Sequence, residues 1–299
     1  MNDIKWGISA LNHGSSISVF KNNKLLFWKD YNEEYLNADI LYDAFYYGEP
    51  KIVYWYENPW LKKARQIYAG QYNRAFDFSV MPRKYMDNLG LHSSKLKYTS
   101  HHASHAAAGY YTSKFDNCAI VVADAIGEFQ TVTIWKASNN KFKKIWQLNY
   151  PESLGLFYSA FTKLIGLQPI LEEGILEQMS VKGDPYQYQD IVQSYFNKNL
   201  HKGITNWPFH TITEQDKLNI AASVQTIFSY EVEKIMKHAK YITGENNLVY
   251  MGGCAMNKTA NKQMSWLWKD IWSLPNTGDA TSSIGSVLYH TKERIEFNV

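Results

Sequence analysis

Two imidazoles four residues apart and two aspartates in later turns are the side chains of this sequence best placed to do chemistry. His101-His102-Ala103-Ser104-His105 holds three of the nine histidines. On a helix, His101 and His105 share a face, the spacing at which two imidazoles can bind one metal ion. The same run also reads as a surface histidine cluster. The alanines at 103 and 106–108 favour the first reading, because they let a second layer approach closely. A metal needs more ligands. Asp124 ends the apolar run 119–123, so its carboxylate should emerge at the C-terminal tip of a strand, where α/β folds gather ligand sites. Asp279 follows Gly278 in a turn ahead of the last helix. Taken singly, each aspartate reads more readily as a turn or capping residue than as a ligand. Two imidazoles plus two carboxylates suit ferrous iron, zinc or manganese, and spacing does not choose among them.

A second candidate lies at residues 248–257, which run strand, glycine pair, helix. Gly252 and Gly253 permit a phosphate or nucleotide to approach the helix N-terminus, although a tight turn explains the pair as well. Asn257, one turn into that helix, can offer donors and acceptors to a ribose or phosphate.

The elements that must position these groups show a repeat. Strands are expected at 4–11, 16–20 and 25–29, with Lys21-Asn22-Asn23-Lys24 as the distal turn, since asparagine tolerates positive φ. A second meander is expected at 117–124, 130–137 and 142–148, turning at Ser138-Asn139-Asn140-Lys141. In each, the first turn (12–16 and 124–129) is polar and holds a glycine, and its backbone N–H groups would form a concavity suited to phosphate oxygens. The repeat is too long for a solenoid. The expectation is an α/β chain of two duplicated ribonuclease H-like lobes, residues 1–115 and 116–299, around a central cleft. The second lobe would carry most metal and nucleotide ligands. This arrangement resembles the fold of sugar kinases and actin-like ATPases, which by itself assigns no reaction. Helical periodicity is read at 59–72, 103–113, 154–165, 185–199 and 214–242, the last with Thr213 as N-cap. Short strands are expected at 248–251 and 270–274, and a final helix runs through His290.

Bulk composition narrows the class. A net charge of +3 demands no polyanionic partner. The 22 Tyr, 14 Phe and 10 Trp, interleaved with Lys and Arg at 51–65 and 83–97, would offer rings for bases to stack on; amphipathic core helices are the plainer reading. Cys118 and Cys254 cannot make a disulfide framework, so a reducing cytoplasm is expected. No apolar run approaches the roughly 18–20 residues that cross a bilayer. Met1 leads directly into a strand-like run rather than a signal peptide.

In chain order, HHASHAAAGYYTS, VVADAIGEFQTVTIW, YPESLGLFYSAFTKLIGL and the pair LVYMGGCAMN and GDATSSIGSVL resemble the O-carbamoyltransferases of nodulation-factor and antibiotic biosynthesis. The opening GISALNHGSSISVF is similar to that family's first hairpin. The same core is shared more distantly with the threonylcarbamoyl transferases that modify tRNA. The resemblance implies that His101 and His105 are the metal ligands of an HxxxH motif. Asp124 would be the aspartate of a DGxGE turn, and Asp279 that of a late GDA turn. Gly127, Glu128, Gly252, Gly253, Asn257 and Gly278 fall where the family contacts nucleotide. His13 falls at a histidine that faces the reacting group, where it would act as base toward the acceptor hydroxyl; capping its own turn is the alternative.

The implied reaction activates carbamoyl phosphate with ATP to carbamoyl-adenylate and passes the carbamoyl group to an alcohol. Its ion would be a divalent transition metal, iron first, with zinc, manganese or Mg2+ as alternatives. Three departures accompany the resemblance. The family's basic segment after the third strand is not recognisable at 30–43, and its KxMGLAPYG segment is reduced to ILEQMSVKG at 175–183. Relatives usually continue into a second domain similar to the YrdC fold, whereas this sequence stops just after the GDA helix. A separate adenylate-forming protein would supply that step, or this cleft performs both. Richness in Asn, Lys, Ile and Tyr points to an AT-rich, viral genome, and so to a 5-hydroxymethyl-pyrimidine in DNA or a nucleotide as acceptor. A small-molecule sugar or antibiotic-like alcohol is the rival acceptor. A sugar-kinase-like phosphotransferase and a non-catalytic nucleotide-binding subunit are the rival classes.

Overall fold

The computed structural model describes residues 3–297. The first meander forms as β1 (Ile4–Ser9), β2 (Ser15–Lys21) and β3 (Lys24–Tyr31), with Asn22 and Asn23 at φ of 50° and 65° in the distal turn. Helix α1 (Ala38–Tyr46) follows. Two strands that the pattern did not reveal, β4 (Ile52–Trp55) and β5 (Lys95–Tyr98), add in parallel and complete the order β3-β2-β1-β4-β5. Between them run α2 (Pro59–Tyr68), α3 (Tyr72–Ala75) and α4 (Pro82–Asn88). Helix α2 starts where it does because Asn58 accepts from the Trp60 and Leu61 N–H groups and Pro59 fills the first helical position.

The same plan repeats after α5 (His101–Thr112). Strands β6 (Cys118–Gly127), β7 (Gln130–Ser138) and β8 (Lys141–Asn149) form the second meander. Parallel β9 (Asn247–Met251) and β10 (Asp270–Trp272) complete the order β10-β9-β6-β7-β8. Helices α6 (Leu154–Leu164), α7 (Glu173–Ser180), α8 (Gln189–Gln193) and α9 (Glu214–Thr243) lie between β8 and β9. Helix α10 (Lys258–Met264) precedes β10, and α11 (Ser282–Thr291) ends the fold. Thr213 and Asp216 close a capping box on α9. The helix expected over 185–199 shrinks to α8. Asp184 accepts the Tyr186 N–H and Asn199 accepts the His201 N–H, so local side-chain bonds replace the ladder that a longer helix would need.

The two sheets do not simply face one another. Helix α5 is buried over all twelve residues and packs on β6 and β9 of the second sheet, while α11, from the chain's far end, packs on α5 and on β1 and β4 of the first. Small residues make this layer possible. A Cβ on Gly285 would stand 1.8 Å from the Ser104 carbonyl oxygen, and one on Gly109 2.5 Å from Val249. Tyr110, Ile120, Val249, Ile284 and Leu288 form the apolar centre of this seam. No helix among the described residues is long and apolar enough to cross a membrane.

Candidate metal centre at the lobe seam

Four donor atoms meet where α5 enters the seam. His101 Nε2 and His105 Nε2 lie 3.2 Å apart, and Asp124 Oδ2 and Asp279 Oδ1 are each 3.3 Å from both nitrogens. All four atoms fall within 4.8 Å of one another. Ligands held about 2.0–2.2 Å from one ion are separated, when adjacent, by about 3.0–3.4 Å. The observed spacing therefore fits a single cation. The two imidazoles are 2% and 0% exposed, whereas the Asp124 and Asp279 side chains are 16% and 25% exposed. The carboxylate side is the open one.

Local structure explains each position. Ser100 makes no side-chain cap for α5; Glu128 does so from the second lobe, its Oε1 accepting the His101 N–H at 3.3 Å and also the Asn58 N–H. Burial lifts the Glu128 carboxyl to about 7. Asp124 is not at a strand tip: β6 continues to Gly127, and the pairing with β7 slips between Ala123 and Gly127, so the aspartate sits in a bulge that re-aims it. Its second oxygen accepts the Ala125 N–H at 2.8 Å. The second oxygen of Asp279 accepts from Asn12 Nδ2 at 3.0 Å. Each carboxylate thus turns one oxygen to the centre while an N–H fixes the other. His105 Nδ1 lies 3.4 Å from Ser282 Oγ, and His101 Nδ1 is buried without a partner.

The electrostatics are those of opposed charges in a dry place. Burial disfavours charge on His101, yet Asp279 and Asp124 outweigh it and hold the imidazole well above its ordinary value. Burial likewise opposes the charge on Asp124 and Asp279, and the two histidines hold both carboxyls below the usual range. His102 has no such partner: burial, then His101, push it well down, and its Nδ1 bonds Thr133 Oγ1 at 2.9 Å.

The remaining candidates divide. A Cβ on Gly127 would stand 2.5 Å from both His101 and His102 rings, so its missing side chain is the space those histidines occupy. Gly252, at φ 92°, allows the Ala123 carbonyl to come where a Cβ would be 2.2 Å away. Gly253 is exposed, with its Cβ position 3.2 Å from Asp124 Oδ1. Gly278 is buried against Met256. Asn257 is not inside a helix. A 3₁₀ turn (Gly253–Met256) intervenes, and Asn257 caps α10 while its amide pairs reciprocally with Gln225 at 2.9 and 3.0 Å, which leaves it little to offer a ligand. His13 is exposed and makes no hydrogen bond among the described residues; its neighbour Asn12 is the residue of that turn that reaches the cluster. Nothing in the sequence singled out Asn12, because its partner lies 267 positions away. Asn12→Ala is expected to cost about 10–100-fold in metal affinity with the four donors intact, the usual effect of removing a group that orients a ligand. Competition with a chromophoric chelator checks this.

Comparison with known proteins follows from this geometry. The family described as Carbamoyltransferase N-terminus matches residues 64–288. The uncharacterized protein sll1178 of Synechocystis is 30% identical over 222 residues, 64% of this chain and 36% of that protein. Nodulation protein NolNO of Sinorhizobium fredii is 25% identical over 221 residues, 67% of this chain and 32% of that protein. The chain therefore spans about a third of the length of these relatives. Among solved structures, full-length HypF in its phosphate- and nucleotide-bound form superposes with a TM-score of 0.60 at 14% identity, over 97% of this chain and 55% of that one. At that identity the likeness is one of fold alone.

Proposed function

The chain belongs to the carbamoyltransferase N-terminal family, and from that premise we propose that its seam transfers a carbamoyl group to an acceptor hydroxyl beside one divalent transition-metal ion. The observation that carries this reading is the meeting of His101, His105, Asp124 and Asp279 at one point. Two imidazole donors favour iron, with zinc or manganese next, over Mg2+, which prefers oxygen ligands and water. When bound, the ion would supply positive charge that positions the carbamoyl donor and stabilises charge developing on its oxygen.

The chain's own residues do the rest. Asn12 and the Ala125 N–H keep the two carboxylates from rotating. Neutral His102 packs behind the centre without competing for the ion. Gly252, Gly253 and Gly278, with Gly127 and Glu128, would border the nucleotide, and Asn257 would act through the α10 cap. We place the lobe boundary between residues 115 and 116. His13 is the proposed base. It would accept the acceptor's proton as that oxygen bonds to the carbamoyl carbon, while the bond from this carbon to the phosphate oxygen breaks and AMP leaves. The carbamoyl-adenylate consumed here would come from carbamoyl phosphate and ATP, made in this cleft or by a separate protein. His13→Ala is expected to lower turnover by about 10²–10⁴-fold, the range for a positioned general base. Unchanged turnover removes it from the mechanism.

The proposed acceptor is a 5-hydroxymethyl-pyrimidine in DNA or a nucleotide. Support comes from exposed Trp60, Tyr68, Tyr72, Phe76 and Phe78, carried on a segment that also holds Lys62, Lys63, Arg65, Arg74, Arg83 and Lys84. A sugar or antibiotic-like alcohol is the competing acceptor. Both cysteines are free and buried, which agrees with a reducing, cytoplasmic setting. The test incubates metal-replete chain with ATP, carbamoyl phosphate and each acceptor class, with product mass as readout. A carbamoylated product supports the reading. ATP binding without transfer to any acceptor, even with an adenylate-forming partner added, would reduce the chain to a binding subunit.

A further inference from the structure

Arg65, on α2, is 8% exposed and pairs with no carboxylate among the described residues. Its Nε donates to the Glu128 carbonyl at 3.3 Å and Nη1 to Gln71 Oε1 at 2.9 Å, while Nη2 has no hydrogen-bond partner among the described residues. A guanidinium has donors only, so Gln71 must turn its oxygen to Arg65 and its NH2 outward. That NH2 meets His201 Nε2 at 2.6 Å. His201 Nε2 is therefore the acceptor, the ring is neutral, and its proton sits on Nδ1, which has no partner. Burial, then Arg65, Arg74 and Lys202, hold this imidazole below its ordinary value, in agreement with the neutral form. The Tyr150 ring stands edge-on to it at 5.7 Å.

Cations from both halves of the chain thus gather around one relay. Among the described residues neither Arg74 nor Lys202 pairs with an acid, and Glu57, whose charge acts on Arg65, is already bonded to Lys62 at 2.7 Å. Like charges drawn together in this way repel one another unless an anion joins them. A fixed guanidinium with one free NH2, flanked by a second guanidinium and an ammonium, is the donor set that recognises phosphate oxygens. We infer that the face of α2 and α3, with the segment around His201 and Lys202, is a binding site for a phosphate group. Glu128 separates it from the metal centre: its carbonyl serves Arg65 and its carboxyl the His101 N–H. The site does not depend on carbamoyl transfer.

The phosphate can belong to a small ester such as carbamoyl phosphate or to the backbone of a nucleic-acid strand. Calorimetric titration with inorganic phosphate, carbamoyl phosphate and a single-stranded oligonucleotide, at low and moderate salt, tests the site and separates the sources. The wild-type chain should bind inorganic phosphate, and an Arg74→Ala/Lys202→Ala double variant should bind it at least about tenfold more weakly with unchanged melting and metal content. The altered side chains are exposed, so the fold should persist. Oligonucleotide binding that weakens steeply with salt and is lost in the double variant assigns the site to a strand. Tighter binding of carbamoyl phosphate, with no oligonucleotide binding, assigns it to the ester. Equal affinities in wild type and double variant, or no binding of any probe, overturn the inference. Binding is read without turnover, so an inactive chain that still binds phosphate would leave it standing.

Discussion

His105→Ala is expected to lower bound metal from close to one ion per chain to near none and to abolish carbamoyl transfer. His105 Nε2 touches all three other donors, at 3.2 Å from His101 Nε2 and 3.3 Å from each aspartate oxygen. Its loss leaves one imidazole and two carboxylates, whose mutual repulsion is no longer offset at the buried end. Thermal melting gives a readout apart from activity. At a free-metal concentration about 100 times the Kd, binding adds about 2.7 kcal/mol to wild-type stability, and chelation removes it. Wild type should therefore melt lower when chelated, whereas the variant should melt at one temperature with or without chelator. Acidification should release the ion from wild type, because the imidazoles must be deprotonated to coordinate. His92→Ala, at an exposed histidine, should change neither metal content nor melting. A wild-type chain that purifies without metal and ignores chelators would sink the proposed centre.

That centre was legible in the sequence because its parts are local signals. The His101–His105 pair follows from helical spacing, Asp124 from an apolar run that gives way to a carboxylate, and Asp279 from a glycine turn before a helix. What brings them together was not legible in the same way. Helix α11 packs on the first sheet although it lies at the far end of the chain, and only the alanines at 103 and 106–108 hinted at such close layers. Strands β4 and β5 escaped notice because four residues each, IVYW and KLKY, are too short for alternation to be distinctive. They pair in parallel, so no hairpin turn marks them.

The polar turn at 12–16 shows a different limit. Reading by reactivity picks His13, the titratable residue, whereas the contact is made by Asn12, which only donates. Asn257 shows the converse. Its position after Gly252 and Gly253 suggests a ligand contact, but a 3₁₀ turn shifts the helix start and converts it into a cap engaged with Gln225. In both cases the deciding partner is distant in sequence, so local pattern could not rank the two roles.

Gly285→Ala separates the ligands' chemistry from the packing that assembles them. The added methyl would stand 1.8 Å from the Ser104 carbonyl oxygen, 2.7 Å from the Ser104 carbonyl carbon and 2.9 Å from the Ala108 nitrogen. All three are backbone atoms of α5 and cannot rotate aside. Helix α11 must therefore back away from α5, the helix that carries His101 and His105, and it follows directly on the turn that holds Asp279. Overpacking of this kind costs typically about 1–3 kcal/mol, and a clash with rigid backbone belongs at the upper end. The variant should melt several degrees lower. It should also bind metal more weakly although every donor is still present, because Asp279 moves off the imidazoles. Gly174→Ala is the matched control: nothing lies within 4 Å of its Cβ position at the start of α7, and alanine there should be neutral or stabilise by about 0.4–1 kcal/mol. If Gly285→Ala melted and bound metal like wild type, the two helices would not be in contact as described, and the seam could not be what holds the four donors together.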